Sequence, residues 1–363
     1  MIKRQAMVFL LFVFLSLKLF QAGGQEKVRT FLNKEEGTEK PEIREKVFIV
    51  NNNNSVKSYR KTFDRLIYEF NYRNENGLIP ANIPKIAIKL ETHLAPGLQT
   101  SKEMVDGLLQ CLSAKGYSQS DIVLIDFESR GLVLGGFLSQ LNQRQYLGYR
   151  VISFVDSEYS NQAWFHDSPI PPTLHDRAEY FLLHPQNRER RLLEERRSYL
   201  PSIMFLKNFH WINLAVAMDD PFLGIDAAAA NVSLGAVNNF RRFYKEPTMG
   251  PASIAEILAI PEFWEKRIFS IVNLGRFQFA GGKSFEAEFL GSHPTIIAST
   301  NPILADYYTW HEIAKEREKF GFSKRDREQA QLFKYAEELN LFDPNQHELI
   351  DWRRDVSQNP QSK

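Results

Sequence analysis

From Ile86 to Phe127 the chain reads IAIKLETHLAPGLQTSKEMVDGLLQCLSAKGYSQSDIVLIDF. Its two ends, IAIKL (Ile86–Leu90) and IVLIDF (Ile122–Phe127), are apolar runs of strand length. Between them, Met104, Val105, Leu108, Leu109 and Leu112 recur at helical spacing. Thr100 with Glu103 predicts a capping box at the start of that helix, and Gly116 its end. Strand, helix and strand in one such stretch make a β–α–β unit, which favours parallel strands joined by a right-handed crossover.

Working outward, the same alternation continues. Further strands are expected at Val151–Val155, Ile203–Leu206, Ile212–Met218, Ile268–Leu274 and Thr295–Ser299. Helices are expected at Val56–Phe70, Gln186–Ser198, Ser233–Phe243 and Ala252–Ala259. Another should run over Pro302–Lys319, where Asn301 caps and Pro302 opens the first turn, and a peripheral one near Lys324–Leu339. The fold class that follows is α/β, a mainly parallel open sheet flanked by helices, as a single large domain over residues 56–323. A proline-rich, Arg- and Glu-rich stretch at about 161–197 reads as a loop-rich insertion over the sheet edge. Residues 324–363 read as a C-terminal helix and tail.

Composition narrows the class. The chain has 363 residues, 43% of them hydrophobic, enough for a substantial core. Its 45 basic and 44 acidic residues leave a net charge of +1, so no overall field draws in nucleic acid. Lys3 and Arg4, the apolar run Ala6–Leu17, and Ala22, Gly23 and Gly24 have the three-part layout of a secretory signal over residues 1–24. That run is too short to span a bilayer, so no transmembrane domain is expected after cleavage, and an exported location, periplasmic or extracellular, follows. Residues 25–55, rich in Lys and Glu as far as Lys46, read as a charged linker or arm. Cys111 is the only cysteine. It cannot form a disulfide within the chain, an iron–sulfur cluster held by this chain alone is excluded, and its apolar neighbours point to buried packing.

The candidate chemistry lies mostly past strand ends. Asp219 and Asp220 follow a strand at the edge where open α/β sheets bind ligands, and with Asp226 they could hold a divalent metal or supply a general base. The competing reading is that Asp219-Asp220-Pro221 is a turn. Asp126 ends its strand, and His93, which follows the first one, is a further candidate. Asn239, Gly281, Gly282 and Asp306 complete the ligand-binding candidates. His166-Asp167 and His175-Asp176 could share a metal if their loop folds back. AGGKS (Ala280–Ser284) lacks the glycine that a phosphate loop needs, since that position is Phe277. Asn231-Val232-Ser233 is a glycosylation triplet in a core-like segment.

Taken in order, IAIKLETH, IVLID, INLAVAMDD (Ile212–Asp220), VSLGAVNNF (Val232–Phe240), IVNLGRFQFAGG (Ile271–Gly282) and IIASTNPILAD, which ends at Asp306, resemble the domain of unknown function 362 family over roughly Lys85–Phe320. The resemblance puts polar site residues where His93 stands, which makes it the preferred histidine. It also implies a strand leading to a Lys and His pair, a Lys-Asn at a helix start, and an Asp before a Gly-rich loop. At those places this chain has Met218, Asp219 and Asp220, then Asn238 and Asn239, then Asn273. Exchanging cations for Asp and Asn removes charge-assisted donors for an anion. Two functions therefore stay open: an exported ligand-binding or enzyme-like protein with a divalent-metal or small-molecule site, or a non-catalytic binding or scaffold protein that has lost the family's site residues. Which cofactor, if any, is unknown from sequence.

Overall fold

The computed structural model describes residues 45–73, 77–139, 144–160, 163–168, 170–246, 249–323 and 330–353. The expected signal segment and residues 25–44 of the expected arm lie outside them. In chain order the strands are β1 (Glu45–Asn51), β2 (Lys85–Lys89), β3 (Ile122–Ile125), β4 (Gln145–Tyr146), β5 (Tyr149–Ile152), β6 (Phe165–Asp167), β7 (Arg197–Tyr199), β8 (Phe209–Ala215), β9 (Met218–Asp220), β10 (Gly224–Asp226), β11 (Arg267–Asn273), β12 (Phe277–Gln278), β13 (Leu290–Gly291), β14 (Thr295–Ser299) and β15 (His347–Asp351). Nine of them form one sheet, ordered β15-β1-β14-β11-β8-β2-β3-β5-β4. Parallel pairings join β2 to β3 and to β8, β3 to β5, β8 to β11, and β1 to β15. β14 runs antiparallel to both β1 and β11, and β4 to β5.

Side chains alternate between the two faces, as the pleat requires. On β3, Val123 and Ile125 enter one apolar cluster while Ile122 and Leu124 enter the other; on β8, Trp211 and Ala215 oppose Ile212 and Leu214. Both faces are thus buried, which is why these strands read as unbroken apolar runs. Helices Val56–Arg73 and Lys102–Ala114 cover one face, bringing Tyr59, Phe63, Leu66 and Leu108. Helices Met249–Leu258, Pro302–Lys319 and Gln331–Glu338 cover the other, with Ile254, Ile303, Trp310 and Phe333.

Several local expectations change. The strand β1 falls inside the stretch 25–55 read as an arm: VFIV (Val47–Val50) is buried in the sheet. Within the stretch read as a C-terminal helix and tail, the helix is Gln331–Glu338 with Leu332, Phe333 and Ala336 buried against the core, and His347–Asp351 adds the edge strand β15; residues 324–329 and 354–363 lie outside the described residues. Ser202–Phe205 is a 3-10 turn instead of a strand, and Ser233–Phe243 is a series of short turns in place of a helix, broken at Asn239 with φ 48°. Ser101, not Thr100, caps the helix at Lys102, accepting from Met104 N–H at 3.2 Å. Thr100 instead accepts from the N–H of Glu91 (2.8 Å) and donates to the Leu214 carbonyl (2.7 Å). The insertion is a helical hairpin, Leu174–Leu183 and Arg188–Arg196, with its own two-stranded sheet β6-β7. Cys111 is buried as expected.

Candidate functional site

The strand order fixes where a ligand can enter. From β2 the chain passes to β3 and β5 on one side, then returns as β8 against the other edge of β2 and continues to β11. The order therefore reverses between β2 and β8. Loops leaving the C-terminal ends of two such strands diverge, and the crevice between them is where doubly wound sheets bind ligands. A pocket lies there, lined by Glu91 and His93 after β2, by Asp126, Phe127 and Glu128 after β3, and by Asp226, Asn231, Leu234, Gly235, Phe240 and Tyr244 after β8. It encloses about 480 Å³, open mouth included.

Beneath the pocket sits a buried cation. Lys89, fully buried, donates to Asp126 Oδ1, Asn231 Oδ1 and the Leu90 carbonyl, each at 2.7 Å. Asp126 Oδ2 accepts the Thr92 N–H (2.8 Å) and hydroxyl (2.6 Å), and Oδ1 also accepts the Phe127 N–H (2.7 Å). Asn231 donates in turn to Asn213 Oδ1 (2.7 Å), and Asn213 to the Ala228 carbonyl (2.8 Å). A buried charge persists only when paired and fully hydrogen-bonded, and this network meets that condition while tying together the ends of β2, β3 and β8. Asp306, also fully buried, accepts the N–H groups of Ala228 (2.7 Å) and Ala229 (2.9 Å) and so caps the short helix Ala228–Val232. That helix begins two residues after Asp226.

On this platform Glu91, His93 and Asp226 converge: one ligating atom from each lies within 4.8 Å of the others. Glu91 is positioned by the Val216 N–H, which donates to Oε2 at 2.8 Å and leaves Oε1 3.8 Å from His93 Nδ1. Burial, then the nearby Asp226 charge, raises the Glu91 pKa well above the usual carboxylate range. Burial, then Asp220, pushes Asp226 up to about 7, with Lys89 opposing. His93 stands at the mouth, its side chain 39% exposed. The packed wall behind its ring lowers its pKa toward about 4; Asp126 acts against the shift and Lys89 with it, and solvent on the outer face moderates the burial effect. A neutral imidazole beside two buried carboxyl groups is a set that a divalent cation satisfies, with one nitrogen and two oxygen donors.

Of the residues singled out in the sequence, His93, Asp126 and Asp226 meet at this pocket, with Asp306 supporting it. Glu91, Lys89 and Asn213 belong to it as well and were not singled out, although Glu91 and His93 sit at i and i+2 past a strand end; Asn231, read in the sequence only as a glycosylation acceptor, is also part of it. The metal set Asp219, Asp220 and Asp226 does not gather. Asp219 Oδ2 meets Arg317 at 2.9 Å, and Asp220 Oδ1 accepts the N–H groups of Phe222 and Leu223 at 2.7 and 2.8 Å. Asp219 lies within β9, paired with Ile225, and Asp220-Pro221 opens the turn 221–223 through which the antiparallel pair β9-β10 closes. Gly281 and Gly282 lie off the pocket. Both have positive φ, and a Cβ on Gly282 would stand 3.0 Å from Pro221 Cδ, so this loop packs on the turn. Asn239 accepts from Ser198 (2.7 Å) and donates to the Arg197 carbonyl (2.8 Å), pinning the insertion.

The two His-Asp pairs of the insertion go separate ways: His166 bonds Glu256 at 2.7 Å and Asp167 takes Arg196 through both oxygens. His175, Asp176 and Glu179 do cluster, but Asp176 is committed to its capping box with Thr173 and to Arg241 at 3.2 Å. The Asn231 side chain is buried in the Lys89 network, which removes it as a glycosylation acceptor.

No protein-family model and no curated protein matches this chain. A crystal structure of a Thermotoga maritima protein aligns with 74% of it at 11% identity and a TM-score of 0.38, and the chain spans 60% of that protein's length.

Proposed function

We propose that the switch-point pocket is a divalent-cation site held by Glu91, His93 and Asp226, and that the protein binds a small polar molecule there in an enzyme-like manner. The convergence of those three ligating groups within 4.8 Å, at the crevice where the sheet order reverses, carries the reading. Three protein ligands leave coordination positions open toward the cavity, the arrangement of catalytic rather than closed structural sites. A cation there supplies Lewis-acid polarisation of a ligand oxygen. The chain's own residues do the rest. The Lys89–Asp126 pair holds the two loops in register, Phe127, Phe240 and Tyr244 exclude water from one wall, and Glu128 places a further carboxyl at the rim. Burial and the charges of Asp226, Asp220 and Glu91 keep the Tyr244 hydroxyl protonated, so it can donate a hydrogen bond into the pocket.

The family resemblance and the exported location belong to the same proposal. The pieces IAIKLETH and IVLID of the resemblance contain Lys89, Glu91, His93 and Asp126. The test is a thermal-shift and calorimetric titration with Mn²⁺, Zn²⁺, Mg²⁺ and Ca²⁺. At least one cation should stabilise the wild type, and Glu91→Gln, His93→Ala and Asp226→Asn should each weaken it by about tenfold or more. Asp219→Asn should leave the affinity unchanged. Equal binding by wild type and Glu91→Gln defeats the proposal, and cation binding without turnover of any ligand favours the non-catalytic binding protein.

A further inference from the structure

The walls of the switch-point pocket say more about its ligand than the floor does. Phe127, Phe240 and Tyr244 line it and are each half-buried, so part of every ring is left to the cavity. They meet edge to face: Phe127 and Phe240 stand at 83° with centroids 6.2 Å apart, and Phe240 and Tyr244 at 84° and 6.2 Å. Three rings turned successively by nearly a right angle make a corner, and the negative face of an aromatic ring attracts a cation. These rings already do so on their outer sides. Arg241 lies over Phe240 at 5.2 Å and Lys283 over Tyr244 at 5.0 Å. Neither cation lines the pocket, and among the described residues no other arginine or lysine does.

Charge agrees with the rings. Of the four carboxyl groups lining the cavity, Asp126 is matched by Lys89, and Glu91 and Asp226 are the ligands assigned to a divalent ion. Glu128 is left over. It sits at the N-cap of the helix Ser129–Leu134 without capping it, and among the described residues its carboxyl takes no hydrogen bond or ion pair. Burial, then the Asp126 charge, raises its pKa, with Arg241 and Arg130 opposing from outside the pocket. A cation arriving from the cavity favours its ionised form. An alkylated ammonium suits this lining better than a bare one. A primary ammonium asks for an acceptor for each of its N–H groups, whereas alkyl groups spread the charge over a surface that rings and the Leu234 side chain can cover.

We propose that the pocket's ligand is an organic cation, an alkylated ammonium whose head rests in the corner of Phe127, Phe240 and Tyr244 with Glu128 as its counter-ion. This inference rests on the reading of the pocket as the ligand site, and not on the divalent ion at its floor.

The test is calorimetric titration of the full chain with choline, with and without Mn²⁺, beside the uncharged analogue in which carbon replaces the nitrogen of choline. The two probes share a shape, so the difference between them reads the charge. Choline should bind about tenfold or more tightly than the analogue. Glu128→Gln should lower the choline affinity about tenfold and leave that of the analogue unchanged. Phe240→Leu should lower it as well, while Phe240→Tyr, which keeps a ring, should not. Equal affinities for the two probes, or no binding of choline, overturn the proposal without any variant having to fold. So does a choline affinity that neither Glu128→Gln nor Phe240→Leu changes, which places the probe elsewhere. The same titrations separate this inference from the divalent site: Mn²⁺ bound and choline ignored defeats the ammonium reading alone, and choline bound with no divalent ion taken up defeats the divalent site alone.

Discussion

Lys89→Met tests whether the buried cation is what holds the pocket's floor together. The substitution keeps the aliphatic stem and removes only the ammonium, so packing within the sheet is nearly conserved. Three hydrogen bonds of 2.7 Å disappear, and Asp126 is left as a buried carboxylate without its cation. Removing one partner of a buried pair costs about 3–5 kcal/mol, and an orphaned acceptor such as Asn231 Oδ1 about 1–3 kcal/mol. Asp126 keeps donors from Thr92 N–H, Thr92 hydroxyl and Phe127 N–H, which places the total near the low end, about 4 kcal/mol. Urea unfolding followed by tryptophan fluorescence measures it, with the slope against denaturant unchanged. Adding Asp126→Asn removes the uncompensated charge, so the double variant should cost at least about 1.5 kcal/mol less than the two single losses combined. A Lys89→Met cost below about 1 kcal/mol, or additive singles, would show that the pair does not hold the ends of β2 and β3 and would refute the reasoning.

Other substitutions probe the supports around the pocket. Burial pushes the Asp306 pKa up to about 8 against the two N–H donors of Ala229 and Ala228, so the folded state retains a proton that the unfolded chain releases near pH 4. Its stabilising contribution is complete below about pH 4 and is lost as pH rises through about 8; relative to Asp306→Asn, the wild type should weaken over that window by a few kcal/mol, and parallel stability curves for the two would contradict this. Asp219→Asn, which strips Arg317 of its buried partner, should cost about 3 kcal/mol in urea unfolding while cation affinity is retained. Gly282→Ala forces a side chain at φ +144° and 3.0 Å from Pro221, and should lower stability by about 1–3 kcal/mol in the same measurement. Burial, then its bond to Asp64, pushes the Cys111 thiol up to about 12, so an aromatic disulfide reagent should react with it in urea and not in the native chain.

How much of this was legible in the sequence depends on whether the signal was local. The β2–helix–β3 unit could be read because each of its parts is a continuous run with its own period. β1 and β15 could not, because VFIV is flanked by Lys46 and by the Asn51–Asn54 run, and HELID alternates too briefly; β1 becomes a strand between β14 and β15, and β15 only against β1. Ser233–Phe243 looked helical by spacing, yet Ser233, Asn238 and Asn239 spend their side chains on backbone groups and on the insertion, and such bonds compete with a helix ladder. The same logic explains the acidic residues. A turn and a metal site both favour Asp at Asp219 and Asp220, and only the pairing of β9 with β10 and the reach of Arg317 decide between them. Glu91 escaped notice for the opposite reason. Between Leu90 and His93 it is one polar residue in a loop, and its significance depends on β8 returning beside β2, which brings the Val216 N–H to its carboxylate and Asp226 within 4.8 Å of it. A site assembled at a reversal of strand order is built from residues far apart in the chain, 91, 93 and 226 here, so the sequence can mark its members but not its membership.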